Sequence, residues 1–242
     1  MNYLIFGASC KLATELMKKI YSKDKDPFFL LSSSSSENLL KLKKHAVELK
    51  YNYKVFLLDF NNLNESKLDD LKNNELNNTQ YFQNIYFFSA FTNLEVGQVS
   101  NEYLKKSLNI NCLSMMKLVN YFLHIIKENT LTINFTSSIA VERPRKINYI
   151  YAGSKLMFEN YLLSLSHYFQ YKRPYIKIYR LGWIKSEKLD KFFAVSHTEV
   201  ANYIFKNEKK NNEGIFYYPL KWRVLAYVIR YIPKFIFKKI KT

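Results

Sequence analysis

The sequence predicts an α/β protein, a Rossmann-like doubly wound parallel sheet in a single domain, closed by a basic amphipathic C-terminal helical tail. Three observations predict it. Short β-prone apolar runs alternate with longer segments whose apolar residues recur at helical spacing. The runs are near-continuous rather than alternating, as expected when helices cover both faces of a sheet. The 242 residues, 48% of them hydrophobic, contain no linker, internal repeat or composition break and are long enough for one sizeable core.

The elements follow in order. "NYLIFGA" (2–8) reads as a strand ending at glycine, and "LATELMKKIYSK" as the helix after it. "PFFLLS" (27–32) and "YKVFLLDF" (53–60) are the next strands, each followed by a helical segment, "ENLLKLKKHAVELK" and "NESKLDDLKNNEL". "NIYFFSA" (84–90) leads into one long helix, "EYLKKSLNINCLSMMKLVNYFLHIIKE". "LTINFTSS" (131–138) is a fifth strand, "YAGSKLMFENYLLSLSHYF" its helix, and "YIKIYRLG" (175–182) a sixth strand. The domain is expected to span residues 1–213 and the tail residues 214–242.

The formal charge is +17, and it is unevenly placed. No acidic residue follows Glu213, whereas Lys221, Arg223, Arg230, Lys234, Lys238, Lys239 and Lys241 do. Such a field attracts polyanions. The tail's cations recur at helical intervals, with Trp222, Leu225, Ile229, Ile232 and Ile236 expected on another side and Pro233 interrupting the helix. This pattern suits either an anionic membrane interface or packing on the domain or a partner subunit. No nucleic-acid reading module is recognisable, and the cations are interleaved with large apolar residues, so a nucleic-acid partner is not expected. Cys10 and Cys112 offer neither a disulfide framework nor metal-ligand spacing, which fits a reducing cytoplasm and no metal. The N-terminus lacks the basic region of a signal peptide, and no uncharged apolar run approaches the ~20 residues that span a bilayer.

In an open α/β sheet, ligands bind beyond the carboxyl ends of the strands, so the loops after the strands hold the candidate site. "GASCKLA" (7–13) has one glycine of the phosphate-binding fingerprint, Gly7, with Lys11 and Ala13 at the later positions. It reads equally as a plain strand–helix turn. The second strand ends in serines 32–36 rather than an acid on the ribose hydroxyls, which favours NADP over NAD. Asp59 suits an adenine amine or a helix cap. Tyr151 and Lys155 lie four apart, hence about 40° apart on one helix face, while Tyr149 is about 240° from Lys155. A cation beside a phenol favours phenolate and equips a general acid/base for carbonyl–alcohol interconversion. Ser138 stands in the loop before that helix, where its hydroxyl can meet a carbonyl oxygen beside Tyr151. Asn111 falls inside the long helix, where Asn is a poor helix former; its other reading is a solvent-facing residue.

Gly7, Asp59, Asn111, Ser138, Tyr151 and Lys155, with thirteen residues from Ser138 to Tyr151, occur in the order and spacing of the short-chain dehydrogenase/reductase family, which the chain resembles over roughly residues 2–190. The resemblance implies an NAD(P)-dependent oxidoreductase, with Asn111, Ser138, Tyr151 and Lys155 catalytic. It implies cofactor contacts at Gly7, Ser9, Lys11 and Leu12 in the first loop and at Ser33 and Ser34 in the second. Asp59, Phe60, Ser89 and Ala90 follow, then Tyr151 and Lys155 themselves, and Gly182 and Ile184 after the sixth strand. Departures are two missing glycines, "SAF" (89–91) for the usual Asn-Ala-Gly, and "LG" (181–182) for Pro-Gly, with Ser186 available for the cofactor-contacting hydroxyl. "SSIAVERPRKINYIYAGSK" and the tail look like the subgroup that reduces decaprenylphosphoryl keto-ribose. That resemblance implies a keto-sugar on a polyprenyl-phosphate or nucleotide carrier, cell-envelope or surface-polysaccharide biosynthesis, a partner oxidase, a homo-oligomer and peripheral membrane association. The alternative expectation is a nucleotide-binding regulator that keeps this fold without turnover.

Overall fold

The computed structural model describes residues 1–76, 82–93, 96–185 and 193–237. Its strands are β1 (Asn2–Phe6), β2 (Phe28–Ser33), β3 (Asn52–Leu57), β4 (Asn84–Phe87), β5 (Thr132–Ser138), β6 (Tyr175–Leu181) and β7 (Gly214–Tyr218). They form one sheet in the order β3-β2-β1-β4-β5-β6-β7, and every pairing is parallel. The expected doubly wound architecture is therefore present. Tyr3 and Ile5 enter the core on one face of the sheet and Leu4 and Phe6 the core on the other, so β1 has to be apolar at consecutive positions. The edge strand β3 departs from that pattern: Phe56 is its buried side chain, and Asn52, Lys54 and Leu57 face out.

Two elements escape the sequence reading. Helix α8 (His197–Glu208) opens with a capping box in which Ser196 and Glu199 satisfy each other's backbone, a signal legible in "SHTE". Strand β7 pairs with β6 from Lys177↔Gly214 to Leu181↔Tyr218, so residues 214–218 belong to the sheet rather than to a tail. The boundary expected at 213–214 thus falls at the start of a strand. "GIFYY" is short, and its residues are all only half-buried, which leaves little pattern to read.

The long helix is also broken. Helix α4 (Asn101–Leu108) passes into a π turn (Asn109–Leu113), then α5 (Ser114–Tyr121) and α6 (Leu123–Asn129). Earlier in the chain lie α1 (Lys11–Tyr21), α2 (Ser36–Glu48) and α3 (Glu65–Asp70), and α7 (Tyr149–Tyr168) follows β5. After β7 come α9 (Lys221–Tyr231) and, beyond Pro233, the short α10 (Lys234–Phe237). The apolar side expected for the tail is only partly the packed one. Trp222 and Ala226 are buried, while Leu225 and Ile236 are exposed. Lys238, Lys239 and Lys241 lie outside the described residues.

Beneath the sheet, Lys177 of β6 is fully buried and donates to the carbonyls of Asn207, Glu208 and Lys210, capping the C-terminal end of α8. Beside it the Tyr86 hydroxyl donates to Glu208. Burial pushes the Glu208 carboxyl up to about 7. The native state then holds a proton that the unfolded chain has released, so stability falls as pH rises from the ordinary carboxylate range through 7. Glu208→Gln should match the wild type near pH 5 and exceed it by roughly 2 kcal/mol at pH 8. Urea unfolding at the two pH values checks this, and a pH-independent difference would refute it.

Candidate active site

The carboxyl ends of β1, β2, β3 and β4 converge on one cleft. Gly7 ends β1 at φ +75°, and a Cβ there would stand 2.7 Å from the Ser89 amide and 2.9 Å from its Oγ. Glycine is thus required both by backbone conformation and by the close approach of the segment after β4. Gly7→Ala should cost about 2–4 kcal/mol, because Ser89 must move as well as the backbone strain. Gly97→Ala, at φ +69° where an added Cβ would meet no heavy atom within 4 Å, should cost only about 1 kcal/mol. Equal losses in thermal unfolding would contradict the packing argument.

The cleft, about 430 Å³, is lined by Gly7, Ser9, Ser34, Asp59, Phe60, Ser89 and Ala90, all expected there. It also exposes Ser32, of the serine run that favours NADP, and Phe91, together with Cys10 and Lys106, which were not among the expected contacts. The Cys10 thiol caps α1, accepting from the Ala13 amide at 3.4 Å. Ala8 and Ala13 are fully buried, so alanine serves the close helix–strand packing that a third glycine would otherwise allow. Lys11, the first residue of α1, is exposed at the positive end of the helix.

Three expected contacts need correction. Leu12 sends its side chain into the core, so only its backbone can face a ligand. Ser33 is buried and its Oγ has no hydrogen-bond partner among the described residues; it does not line the cleft. Strand alternation puts Ser32 and Ser34 on the cleft side instead, and the Ser32 Oγ accepts from the Gly7 amide at 3.4 Å. Gly182 is not part of that lining either. It lies under Trp222, whose Nε1 would be 2.0 Å from any Cβ added there, and its amide donates to the Tyr218 carbonyl. Ile184 bridges Val195 beyond β6. Ser186 lies outside the described residues. Lys41, near the second loop in sequence, pairs with Glu37 on the exposed side of α2.

Asp59 acts as a cap: its carboxylate accepts from the Asn61 amide at 2.9 Å and the Asn62 side chain at 2.6 Å. A carboxylate has about four acceptor positions, so this role is compatible with a further donor in the cleft.

Asn111 is fully buried in the π turn, not solvent-facing. Its Oδ1 accepts from the Phe91 amide at 2.7 Å and its Nδ2 donates to the Phe91 carbonyl at 2.8 Å. The same amide nitrogen reaches Ser107 and Ser154, each at 3.2 Å. Asn111 therefore pairs with backbone as a strand would, and it fixes the loop after β4 against α7. The π turn is what turns this side chain inward.

On α7, Ser154 hydrogen-bonds back to the Tyr151 carbonyl, and Lys155 runs beneath the cleft. Its Nζ donates to the carbonyls of Ser89 and Thr136 at 3.2 and 3.1 Å and sits 4.6 Å from the centre of the Phe135 ring. Burial pulls the Lys155 ammonium down to about 7, against the opposing charge of Glu159. Ser138 ends β5. Its Oγ accepts from the Ala140 amide at 3.2 Å, which leaves its proton for the Tyr151 phenol. The Tyr151 phenol lies above its ordinary range, not below it: burial raises it, while the Ser138 hydrogen bond and the charge of Arg145 oppose. The nearby cation opposing burial at the phenol is thus Arg145, which the sequence reading passed over. Its Nε is buried without a hydrogen-bond partner among the described residues. Tyr149 points elsewhere, donating to the Gly97 carbonyl.

No family model and no curated protein matches the sequence. Solved structures do match. A short-chain dehydrogenase from Streptomyces avermitilis superposes with a TM-score of 0.77 at 11% identity, over 94% of this chain and 90% of its own. An alcohol dehydrogenase from the archaeon Thermococcus sibiricus, complexed with 5-hydroxy-NADP, gives 0.76 at 13% identity, over 89% and 94%. The chain has the fold of the short-chain dehydrogenases. ElxO with NADP bound gives 0.76 at 16% identity, over 89% of this chain and 96% of that one. Near full coverage of both chains means that the likeness concerns the fold as a whole rather than one motif. Among the described residues there is no cluster that could hold a metal ion, and no helix is long and apolar enough to cross a membrane.

Proposed function

We propose that the protein is an NADP(H)-dependent reductase of a keto group on an anionic substrate, a phosphorylated sugar being the class that fits best. The observation that carries this reading is the Ser138–Tyr151 hydrogen bond beside a buried Lys155, next to a cleft of dinucleotide-binding character. A dinucleotide fits the lining: Gly7 brings backbone close, the N-terminus of α1 and Lys11 suit phosphates, and Ser32 and Ser34 offer hydroxyls where NAD-selective sites place an acid. The NADP held by ElxO supports the same preference.

When bound, the nicotinamide supplies the hydride that adds to the carbonyl carbon. The chain supplies the proton. Burial keeps the Tyr151 phenol protonated, as a general acid needs to be, and Ser138 and Arg145 stabilise the phenolate left after the proton passes to the substrate oxygen. Solvent then reprotonates the phenolate. Ser138 also orients the carbonyl. Lys155, fixed by Ser89 and Thr136, is placed to hold the nicotinamide ribose, and Asn111 acts as a positioning residue through the Phe91 backbone. The buried Nε of Arg145, without a hydrogen-bond partner among the described residues, supports an anionic group close to the reacting carbon.

Within this reading the substrate is a keto-sugar on lipid or nucleotide phosphate, made by a partner oxidase and used in envelope or surface-polysaccharide assembly. The protein would act as a cytoplasmic homo-oligomer. The eroded glycine loop favours a second reading, a nucleotide-binding scaffold without turnover.

The test is NADPH and NADH titration of the purified chain, then nicotinamide oxidation against keto-sugars with and without their phosphate. Tighter NADPH binding and turnover confined to phosphorylated ketoses are expected. Binding without turnover on any ketose would favour the scaffold, and no binding of either dinucleotide would overturn both readings.

A further inference from the structure

Helix α9 is held firmly on its inner side and, among the described residues, unpartnered on its outer one. Trp222 and Ala226 are 5% and 2% exposed, and Trp222 packs edge-on against Trp183 with ring centres 5.3 Å apart. At the far end, Arg143 Nη1 donates to the Ile229 and Ile232 carbonyls at 2.7 and 2.5 Å. Arg230 pairs with the buried Glu142 at 2.7 Å. A helix tied at both ends presents a fixed outward face.

That face is apolar. Leu220, Val224, Tyr227 and Tyr231 follow one another at intervals of four, three and four residues, each between 66% and 68% exposed, and Phe235 of α10, beyond Pro233, is 69% exposed. Single exposed apolar residues are ordinary, but a continuous stripe marks an interaction surface. Cations flank it: Lys221 and Arg223 are exposed in the first turn. Arg223 and Arg230 also share, with Tyr217, Val224 and Tyr227, a cleft of about 470 Å³. Arg230 and the Tyr217 hydroxyl are held by Glu142 at 2.7 and 2.6 Å, so the Arg223 guanidinium is the group of this cleft that can meet phosphate oxygens.

We propose that the outward face of α9 docks on an anionic lipid surface, with Arg223 on headgroup phosphates and the stripe seated in the interface. Charge decides the occupant. Residues 214–242 contain no acid, so a second copy joined through this face would bring the cations of the two tails together with no carboxylate of either tail between them. An anionic bilayer offers both the opposite charge and an apolar boundary. Trp222 meets Gly182 just past the carboxyl end of β6, the end of the sheet that also carries Ser138, so docking would set the candidate active site close to the bilayer. This inference does not depend on the reductase reading.

The test uses the full chain with sedimenting vesicles of phosphatidylcholine alone or mixed with phosphatidylglycerol. Binding should require phosphatidylglycerol and weaken as salt is raised. Arg223→Gln should reduce partitioning about fivefold. The Val224→Asp, Tyr231→Asp pair should reduce it at least about tenfold, with circular dichroism melting unchanged. Should that pair fail to fold, Arg223→Gln carries the test alone. Equal binding to both vesicle types, no binding, or indifference to the variants would overturn the proposal. So would a concentration-dependent dimer in size-exclusion chromatography that Val224→Asp abolishes, since the face would then belong to a second copy.

Discussion

Tyr151→Phe is expected to leave the fold and dinucleotide binding intact while lowering ketone reduction by about a thousandfold. The ring keeps its place on α7, and only the oxygen that shares a hydrogen bond with Ser138 is lost. Without that proton the alkoxide formed on the substrate has no immediate donor in the cleft. Lys155 cannot substitute, because two of its three N–H groups are held by the Ser89 and Thr136 carbonyls and the third is assigned to the nicotinamide ribose. Single-turnover measurement with the preferred ketose separates this loss from a binding defect. Turnover within threefold of the wild type would remove Tyr151 from the mechanism.

Arg180→Met should destabilise the protein by about 3–5 kcal/mol, the usual effect of removing one partner from a buried ion pair. Arg180 of β6 is 8% exposed at its side chain, and the Glu142 and Glu159 side chains are 1% and 0% exposed. The guanidinium reaches Glu142 at 2.6 Å and Glu159 at 2.5 and 3.1 Å, and it donates to the Tyr217 hydroxyl at 3.0 Å. Tyr217 donates in turn to Glu142 at 2.6 Å. Burial resists ionisation of Glu142, yet Tyr217, Arg230 and Arg180 together hold its carboxyl below the ordinary range. Methionine would fill most of the volume and leave two carboxylates facing each other without a cation at the centre. Glu159 lies one turn beyond Lys155 and already favours its charged form, so losing Arg180 should raise the Lys155 titration above about 7 as well. Urea unfolding at neutral pH measures the first effect. A loss below 1 kcal/mol would mean that Arg230 alone suffices for Glu142.

This network also explains why the tail was hard to read. Arg230 looks like one more cation in an acid-free segment, but Glu142 that neutralises it is 88 residues away. Arg143 looks like a loop residue, but it caps α9. Helical spacing placed Leu225 with Trp222, whereas the contact with Gly182 and Trp183 turns the helix so that Ala226 faces inward.

The candidate site divides along similar lines. Local period and short spacing were enough for the alternation that makes the sheet, the succession of six of its strands, and the helix face shared by Tyr151 and Lys155. The sequence also carried Ser138 as the partner of Tyr151. Only the tertiary structure decided that Ser32 rather than Ser33 faces the cleft, since that requires the register of β2 against its neighbours. Nor could spacing alone show that a π turn buries Asn111 against Phe91, that the charge of Arg145 acts on the Tyr151 phenol, or that β7 closes the sheet. Each depends on a partner distant in sequence or on a departure from regular helix, and local periodicity is blind to both. Burial settled the last point: it raises the Tyr151 phenol and lowers the Lys155 ammonium, and desolvation exists only once the chain has folded around them.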